Sequence, residues 1–296
     1  MRIGIDLGGT KIEGILLDNL GVEKARLKVA TPTGDYLATI QAITNLVADI
    51  EKLGNLRNNE TPIGIGIPGT VSPATSLIKN ANSTCLIGKD LNKDLSKALK
   101  RPVRIANDAN CFTVSEATDG AGAGAFVVFG VILGTGVGGC IAIDGRAING
   151  INRISGEWGH NPLPWATDEE RPGPQCYCGQ KGCIETFLSG PGLSADFERE
   201  SSQICTPSEL VKINSFETNE ALNRFENRLA RALASVINIV DPDIIVLGGG
   251  LSNITQLYKN VPNLWEQWVF SDRVDTLLLE NIHGASSGVR GAAWLN

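Results

Sequence analysis

Long apolar runs and blocks of positive charge are both missing from this 296-residue sequence. The longest apolar run, AFVVFGVIL at 125–133, is far shorter than the roughly 20 residues that a membrane-spanning helix needs. No basic block is longer than LKRPVR at 99–104, and the formal charge is −6. We therefore expect neither a membrane nor a nucleic acid as a partner.

Cysteine is present, but in a number that argues against a disulfide framework. The total of seven is odd, and four of them are scattered singly: Cys85, Cys111, Cys140 and Cys205. A chain of this length, with 42% hydrophobic residues, can bury a core without disulfides. Because MRIGIDLGG passes directly from Met1 into an apolar segment, we expect no signal peptide and a cytoplasmic protein.

The order of predicted strands and helices repeats in the two halves of the chain. RIGIDL, KIEGILLD and VEKARLKVA predict a β-meander, followed by a helix at 35–53 and a buried strand at 63–68. FVVFGVIL, the turn GTGVGG and CIAID give a second strand-turn-strand unit, followed by a helix near 217–239 and a strand at 243–250. This pattern predicts an α/β protein with two lobes, an internal duplication and a ligand-binding cleft between the lobes.

The predicted lobes have unequal lengths. We place the small lobe at 1–107, with a C-terminal helix at about 285–296 packing back on it, and the large lobe at 108–284.

Two glycine-rich turns, DLGGTK at 6–11 and GTGVGG at 134–139, are candidate phosphate sites. GTGVGG matches the dinucleotide motif G-x-G-x-x-G, but CIAID predicts a strand where that motif needs a helix. DLGGTK lacks the P-loop spacing. Either turn alone is equally compatible with a tight hairpin. Together they favour a nucleoside triphosphate, because glycine lets backbone N–H groups approach phosphate oxygens closely.

One imidazole and three thiols form the pattern H-x₁₅-C-x-C-x₄-C, made by His160, Cys176, Cys178 and Cys183. This donor set suits a tetrahedral zinc ion, and Gly179 and Gly182 allow the tight turn that such a site requires. A redox pair of cysteines and simple buried thiols are the alternatives. With four protein ligands, no position is left for a catalytic water, so the zinc would be structural.

The motifs DLGGTK, GIGIPG, ANDAN, LGTGVGG, EWGH and CYCGQKGCIE occur in an order and spacing that resemble the ROK family of bacterial sugar kinases. The resemblance covers nearly the whole chain and includes the zinc motif. It implies the two-lobed actin-like ATPase (ribonuclease H-like) fold with an interlobe cleft, ATP with Mg²⁺, and a small-molecule hexose as substrate. Members of the family are often homodimers, although no stretch of this sequence indicates a dimer.

The same resemblance assigns three segments to ATP. The first phosphate-facing turn comprises Gly4, Ile5, Asp6, Leu7, Gly8, Gly9, Thr10 and Lys11. The second comprises Leu133, Gly134, Thr135, Gly136, Val137, Gly138, Gly139 and Cys140. Gly248, Gly249 and Gly250 are expected near the adenosine. Asp6 is expected to contact Mg²⁺ through water, and Cys140 replaces a glycine found in many relatives.

Asp108 of ANDAN is the expected general base. Taken alone, an aspartate at the start of a helix is more often an N-cap than a catalyst. The resemblance implies that Asp108 accepts the proton of the primary hydroxyl of the sugar as that oxygen attacks the γ-phosphorus. The other residues expected to bind the sugar are Asn82, Asn107, Glu157, His160 and Glu185. Either glutamate alone would more often be a solvated surface carboxylate.

Finer motifs, among them KNANST, GEWGHNPLPW and GCIETF, resemble the bacterial fructokinase (manno(fructo)kinase) branch. They imply phosphorylation of D-fructose at its 6-hydroxyl, with mannose a poorer substrate and N-acetylglucosamine a poorer one still. N-acetylglucosamine kinase and glucokinase of the same family are the alternatives. The N-acetylglucosamine branch tends to carry Phe in place of Trp158, whose bulk would leave less room for an N-acetyl group. A core role for Trp158 is an equally serious interpretation.

Two non-catalytic functions are alternatives to a kinase. The sugar-binding repressors of the family carry a helix-turn-helix domain before the kinase part, and we expect none here because DLGG begins at residue 6. A sugar sensor without catalysis would be expected to lose the general base, whereas Asp108 is present.

Overall fold

A computed structural model of the chain describes residues 1–56, 60–81 and 83–295. Contacts divide the chain into two compact units, each assembled from separate segments. The first unit contains residues 1–124, 142–155 and the C-terminal segment from Ile282 onward. The second unit contains residues 125–141 and 156–281.

Strands and helices alternate in both units. The strands are β1 (Arg2–Leu7), β2 (Lys11–Leu17), β3 (Glu23–Ala30), β4 (Ile63–Ile67), β5 (Thr70–Val71), β6 (Ile78–Lys79), β7 (Val103–Asn107), β8 (Val127–Leu133), β9 (Val137–Ile143), β10 (Arg146–Ala147), β11 (Ile244–Gly248) and β12 (Leu277–Glu280). The α-helices are α1 (Tyr36–Leu53), α2 (Leu91–Leu99), α3 (Asp108–Asp119), α4 (Ile184–Leu188), α5 (Gly190–Ser201), α6 (Pro207–Leu210), α7 (Phe216–Val240), α8 (Leu257–Trp265) and α9 (Ser287–Trp294). In the described part of the chain, no helix combines the length and apolar character that crossing a membrane requires.

Two five-stranded sheets share one strand order. The first is ordered β3-β2-β1-β4-β7 and the second β10-β9-β8-β11-β12. In the first sheet β4 and β7 continue parallel to β1, and in the second β11 and β12 continue parallel to β8. This repeated order agrees with the internal duplication predicted from the sequence.

The sequence predicted the longer elements closely. The helix expected at 35–53 is α1, and the helix expected near 217–239 is α7. A hairpin turn follows β9, and its residues Asp144 and Gly145 have positive φ, 50° and 71°. Helix α5 was not predicted because its first turn contains two glycines and a proline. Pro191 is nevertheless tolerated at the start of a helix, and Ser189 caps α5 by accepting the Gly192 N–H.

Glycines let α9 pack directly on the first sheet. A Cβ at Gly4 of β1 would lie 2.1 Å from the Val289 carbonyl oxygen, and a Cβ at Gly64 of β4 only 1.8 Å from that of Ala292. Backbone therefore packs against backbone here, which is a usual reason for glycine inside a strand.

The division by contacts differs from the predicted lobe boundaries at 107 and 284, because α3 lies with the first unit. A Cβ at Gly291 of α9 would be 1.6 Å from the carbonyl oxygen of Cys111 on α3. The buried Glu116 of α3 also accepts hydrogen bonds from the N–H groups of Ile282 and His283 at 3.1 and 3.3 Å. Helix α3 is thus fixed to the C-terminal segment.

Candidate active site and metal centre

Two carboxylates of the first unit lie at the carboxyl ends of β1 and β7, the two strands on either side of β4. Asp6, near the end of β1, pairs with Gly66 of β4, and Ile67 of β4 pairs with Asn107, the last residue of β7. Asp108 follows directly. Because β1, β4 and β7 are parallel, Asp6 and Asp108 share the edge of the sheet at which α/β proteins bind ligands.

Asn107, rather than Asp108, caps helix α3. The Asn107 Oδ1 accepts hydrogen bonds from the N–H groups of Ala109 and Asn110 at 2.8 and 3.3 Å. Asp108 is the first residue of the helix, and its Oδ1 accepts one bond from the Ala109 N–H at 2.8 Å. The capping role considered for Asp108 therefore belongs to Asn107, whose Oδ1 is already hydrogen-bonded to the helix.

The pKa values of Asp6 and Asp108 are both raised. Asp108 is exposed to solvent, but protein atoms surround it closely. The resulting loss of hydration raises the pKa of its carboxyl group. Burial, together with the negative charges of Asp108 and Glu13, raises the pKa of Asp6 to about 6, against the opposing effect of Lys11. Raised values are expected where carboxylates are brought together for proton transfer or cation binding.

The first glycine turn joins β1 and β2. The Gly8 N–H donates to the Lys11 carbonyl at 3.0 Å, and Thr31 donates its hydroxyl to the Gly8 carbonyl at 2.8 Å. Gly9, Thr10 and Lys11 are exposed. Of the segment predicted for ATP, Ile5 and Leu7 point into the core and Gly4 packs on α9, so its accessible part is Asp6 and residues 8–11.

The second glycine turn, between β8 and β9, contacts two other predicted site segments and the start of α5. Glu185 accepts the Val137 N–H at 2.8 Å. Gly249 packs against the opposite end of the turn, since a Cβ there would lie 2.3 Å from the Leu133 carbonyl oxygen. The Gly190 N–H, at the start of α5, donates to the Gly134 carbonyl at 2.7 Å. The predicted strand after this turn is confirmed as β9.

Trp158 also contacts this turn. Its indole is 5% exposed and packs edge-on against Phe129, with the ring centroids 5.6 Å apart. The indole N–H donates to the Gly138 carbonyl at 3.0 Å. Trp158 is therefore a core residue of the second unit that supports the glycine turn.

The four predicted zinc ligands are brought together. The ligand atoms of His160 and the three cysteines all lie within 4.8 Å of one another. The Cys176 sulfur is 3.6 Å from His160 Nδ1, and the sulfurs of Cys178 and Cys183 are 3.6 Å apart. A tetrahedral zinc with Zn–S bonds of about 2.3 Å places two sulfurs about 3.8 Å apart. Gly179 and Gly182 have φ of 93° and 71°, so the expected need for glycine is met.

Tyr177 lies between two of these cysteines and was not singled out from the sequence. Its hydroxyl is 2.9 Å from Nε2 of His160. Loss of hydration, together with the charge of Glu185, raises the pKa of Tyr177. Tyr177, Glu185 and Thr135 line a cavity of about 290 Å³ in the second unit. The signal in the sequence was an aromatic hydroxyl placed between two metal-ligand positions.

The remaining predicted sugar residues are Glu157 and Asn82. Glu157 is exposed and directly precedes the 3₁₀ turn Trp158–His160. Asn82 lies outside the described residues. Asn107 and Asp108 belong to the first unit, whereas Glu157, His160 and Glu185 belong to the second.

Comparison with known proteins gives matches along the whole chain. The ROK family model matches residues 2–296. The N-acetyl-D-glucosamine kinase of Photobacterium profundum is 37% identical over 305 residues, covering 100% of this chain and 99% of that protein. A ROK hexokinase from Thermus thermophilus superimposes with a TM-score of 0.88 at 26% identity, covering 99% of this chain and 97% of its own.

A ROK family glucokinase from Streptomyces griseus, solved with glucose and AMPPNP, gives a TM-score of 0.75 at 25% identity, covering 99% of this chain and 97% of its own. The fold is the actin-like ATPase fold expected from the sequence.

Proposed function

Since the chain belongs to the ROK family, we propose that it is an ATP-dependent hexose kinase whose preferred substrate is N-acetyl-D-glucosamine. The observation that carries this proposal is the identity to an N-acetyl-D-glucosamine kinase over the full length of both chains. The relative solved with AMPPNP supports a nucleoside triphosphate as the phosphate donor.

The preference for N-acetyl-D-glucosamine replaces the fructose expected from the finer sequence motifs. That expectation relied partly on Trp158 narrowing the sugar site. The Trp158 indole packs against Phe129 and donates a hydrogen bond to the Gly138 carbonyl. The indole therefore fills the core of the second unit. The similarities support a hexose kinase and give no support to fructose in particular.

Asp108 is the general base of the proposed reaction. It accepts the proton from the 6-hydroxyl as that oxygen forms its bond to the γ-phosphorus and the bond from the γ-phosphorus to the ADP oxygen breaks. The helix does not depend on Asp108, because Asn107 caps it. The raised pKa of Asp108 makes its carboxylate a stronger base than an ordinary aspartate.

Glycines in all three predicted ATP segments are suited to close approach by a ligand. A Cβ at Gly9, Gly134 or Gly250 would meet no other heavy atom within 4 Å, and none of the three has a left-handed backbone. Neither internal packing nor conformation therefore requires glycine at these positions. We assign Gly9 and Gly134 to the triphosphate and Gly250 to the adenosine, with Asp6 holding Mg²⁺ through water; the cation would neutralise phosphate charge.

The His160, Cys176, Cys178 and Cys183 cluster fits zinc in donor type and in spacing. Such an ion would join the Trp158–His160 turn to the segment that begins α4. Glu157 stands directly before the first of these segments, and Glu185 stands within the second. The zinc would therefore keep both carboxylates in place for the hydroxyl groups of the hexose. Its role is structural and not catalytic.

A coupled assay of ADP release tests the proposal. N-acetyl-D-glucosamine, fructose, mannose and glucose are compared by kcat/KM under one set of conditions. We expect N-acetyl-D-glucosamine to give the highest value. A higher value for fructose would instead support the fructokinase alternative, which the motifs KNANST and GCIETF favour. The absence of ADP release with every hexose would rule out the kinase.

A further inference from the structure

Cys178 is the accessible sulfur of the metal cluster. Of the seven cysteines, all of which the structure describes, only Cys178 is exposed. It stands at the tip of a tight turn, in which the Cys176 N–H donates to the Gln180 carbonyl at 2.9 Å and the Gly179 N–H donates to the Cys176 carbonyl at 3.0 Å. Cys176 and Cys183 are only 3% and 1% exposed. A reagent in solution therefore meets Cys178 first.

A second sulfur of the cluster lies beside the exposed one. The sulfurs of Cys178 and Cys183 are 3.6 Å apart. A disulfide bond is about 2.05 Å long, so these two sulfurs need to approach each other by only about 1.5 Å. Cys183 forms a β-bridge with Pro162 and is followed at once by α4. The exposed turn that carries Cys178 is therefore the part that would move.

These two sulfurs are half of the proposed zinc donor set. The other half is His160 and Cys176, whose Nδ1 and sulfur are also 3.6 Å apart. Structural zinc sites use four protein ligands. When the sulfurs of Cys178 and Cys183 are bonded to each other, only two ligands of the set are left, too few for such a site. The state of this sulfur pair therefore decides whether the metal is held.

A peroxide joins the two sulfurs in two steps. Cysteine binds zinc as a thiolate, which is also the form that peroxides oxidise. The Cys178 sulfur attacks one oxygen of hydrogen peroxide, the O–O bond breaks, and a sulfenic acid and a hydroxide form. The Cys183 sulfur then attacks the Cys178 sulfur, the S–S bond forms, the S–O bond breaks and a second hydroxide leaves. Two thiolates thus lose two electrons, and one peroxide becomes two hydroxides, which take up protons to give water.

We propose that Cys178 and Cys183 form a redox switch: a peroxide converts them into a disulfide, and the cluster then releases its zinc. The same residues hold zinc when reduced and pair with each other when oxidised, so both interpretations of the cysteine spacing apply to one cluster. The consequence for the sugar rests on the hexose kinase function proposed above. Glu185 stands two residues after Cys183. Loss of zinc therefore loosens the segment that carries this carboxylate and weakens hexose binding.

Zinc release and thiol oxidation are measured together in the wild type. The zinc-loaded protein is treated with one equivalent of hydrogen peroxide per chain, zinc release is followed with a chromogenic chelator, and free thiols are titrated. We expect one zinc to be released per chain and two of the seven thiols to be lost. Dithiothreitol followed by zinc should restore both. Zinc release without loss of thiols, or loss of two thiols with zinc retained, would overturn the proposal.

Proteolysis of the unreduced protein identifies the sulfurs that are joined. Trypsin cleaves after Lys181, which lies between Cys178 and Cys183, so the expected disulfide holds together two peptides that trypsin otherwise separates. Chymotrypsin cleaves after Tyr177 and so separates Cys176 from Cys178. Mass spectrometry should find the link between Cys178 and Cys183, and reduction should abolish it. A disulfide that includes any other cysteine would contradict the proposal.

Two variants test whether the exposed sulfur is the switch. Cys178→Asp replaces it with a carboxylate, which also binds zinc but forms no disulfide. This variant should keep its zinc at the peroxide dose that empties the wild type; release at that dose would reject Cys178 as the switch. Cys85→Ala is the matched control, because Cys85 is a partly exposed thiol of the first unit. It should release zinc as the wild type does. If Cys178→Asp binds too little zinc for comparison, the disulfide found in the wild type decides.

Hexose binding links the switch to the proposed function. Calorimetry with N-acetyl-D-glucosamine, without ATP, should show that oxidation raises Kd by about tenfold or more, the loss expected for one hydrogen bond to a charged group. The oxidised wild type should match Cys178→Ala. An unchanged Kd in the oxidised, zinc-free protein would overturn the effect on the sugar site. Failure of the kinase function is recognised separately, because the reduced wild type would then release no ADP with any hexose, whereas the zinc and thiol measurements need no substrate.

Discussion

The Glu185 carboxylate accepts a hydrogen bond from the Val137 backbone N–H at 2.8 Å. Glu185 stands two residues after Cys183 of the metal cluster, and Val137 is both a residue of the second glycine turn and the first residue of β9. One bond therefore joins the segment proposed to bind the hexose to the segment proposed to bind ATP. Because of this bond, one Glu185 carboxylate oxygen and the Val137 N–H already have a hydrogen-bond partner within the protein.

Asp108→Asn should reduce kcat by roughly 10²- to 10⁴-fold, the usual loss when a general base is removed. Hexose and ATP should still bind, and the melting temperature should change little, because Asn107 caps α3. Asp90→Asn is the control, since Asp90 also stands at the start of a helix, where it caps α2. Near-normal turnover of Asp108→Asn in the ADP assay would mean that another group takes the proton.

The raised pKa of Asp6 predicts a pH-dependent stability. Because the folded-state pKa of about 6 exceeds the ordinary 3.8, the folded chain binds more protons between these values. The contribution of Asp6 to the free energy of unfolding therefore falls as pH rises through about 6. Asp6→Asn, which carries no charge, should raise stability above about pH 7 by at most about 3 kcal/mol, and much less near pH 4.

Urea denaturation in EDTA at several pH values measures the Asp6 effect without a bound cation. Asp272→Asn, a substitution at an exposed aspartate of the second unit, is the control. A gain in stability that is equal at all pH values would show that the charge of Asp6 is not its cause.

Cys178→Ala should lose stoichiometric zinc, because the cluster is left with three protein ligands. We expect the Kd of the hexose to rise more than that of ATP. Glu157 and Glu185 both adjoin the cluster, whereas the second glycine turn is connected to α4 through the Val137 bond. Elemental analysis and separate titrations of the two ligands provide the measurements. Cys85→Ala, in the first unit, should keep zinc and activity; a fully active, zinc-free Cys178→Ala would contradict the proposed site.

Gly9→Ala should leave the melting temperature unchanged and raise KM for ATP by roughly tenfold or more. A Cβ at Gly9 meets no protein atom within 4 Å, so only a ligand would be obstructed. Gly64→Ala should instead lower the melting temperature. Its Cβ would lie 1.8 Å from the Ala292 carbonyl oxygen and would push α9 off the sheet. Thermal melts and ATP kinetics of both variants decide the matter. Unchanged ATP kinetics in Gly9→Ala would remove the first turn from the nucleotide site.

Trp158→Phe should lower stability by about 1–3 kcal/mol, because the Gly138 carbonyl loses its donor and the core loses volume. The ratio of kcat/KM for N-acetyl-D-glucosamine to that for fructose should stay within about twofold. Parallel kinetics with the two sugars test this. A change in the ratio of about tenfold would show that Trp158 selects the sugar after all.

The sequence allowed the fold and the metal cluster to be predicted because each leaves a regular pattern. Alternating apolar residues marked β1 and β2, and the spacing of His160 and the three cysteines marked the cluster. The hydrogen bond between the Tyr177 hydroxyl and His160 could not be predicted in this way. It depends on which nitrogen of His160 faces the sulfurs, a feature of three-dimensional orientation that sequence spacing does not encode.

The burial of Trp158 shows a second limit of sequence reasoning. A tryptophan beside a proposed sugar carboxylate, Glu157, suggests a wall of the sugar site. The direction of the indole is set instead by Phe129 and Gly138, which are distant in the chain. Helix α5 was not predicted for a different reason. Its first residues, GPG, resemble a loop, and only the structure shows that Ser189 caps a helix there.

The close packing of α9 on β1 and β4 also sets an order for assembly during synthesis. The ribosome makes β1 early, yet the helix that covers Gly4 and Gly64 is made after all of residues 156–281. The second unit can gather its core while the first sheet still lacks one of its covering helices. The nascent first sheet therefore keeps the apolar surface that α9 covers exposed until α9 is made.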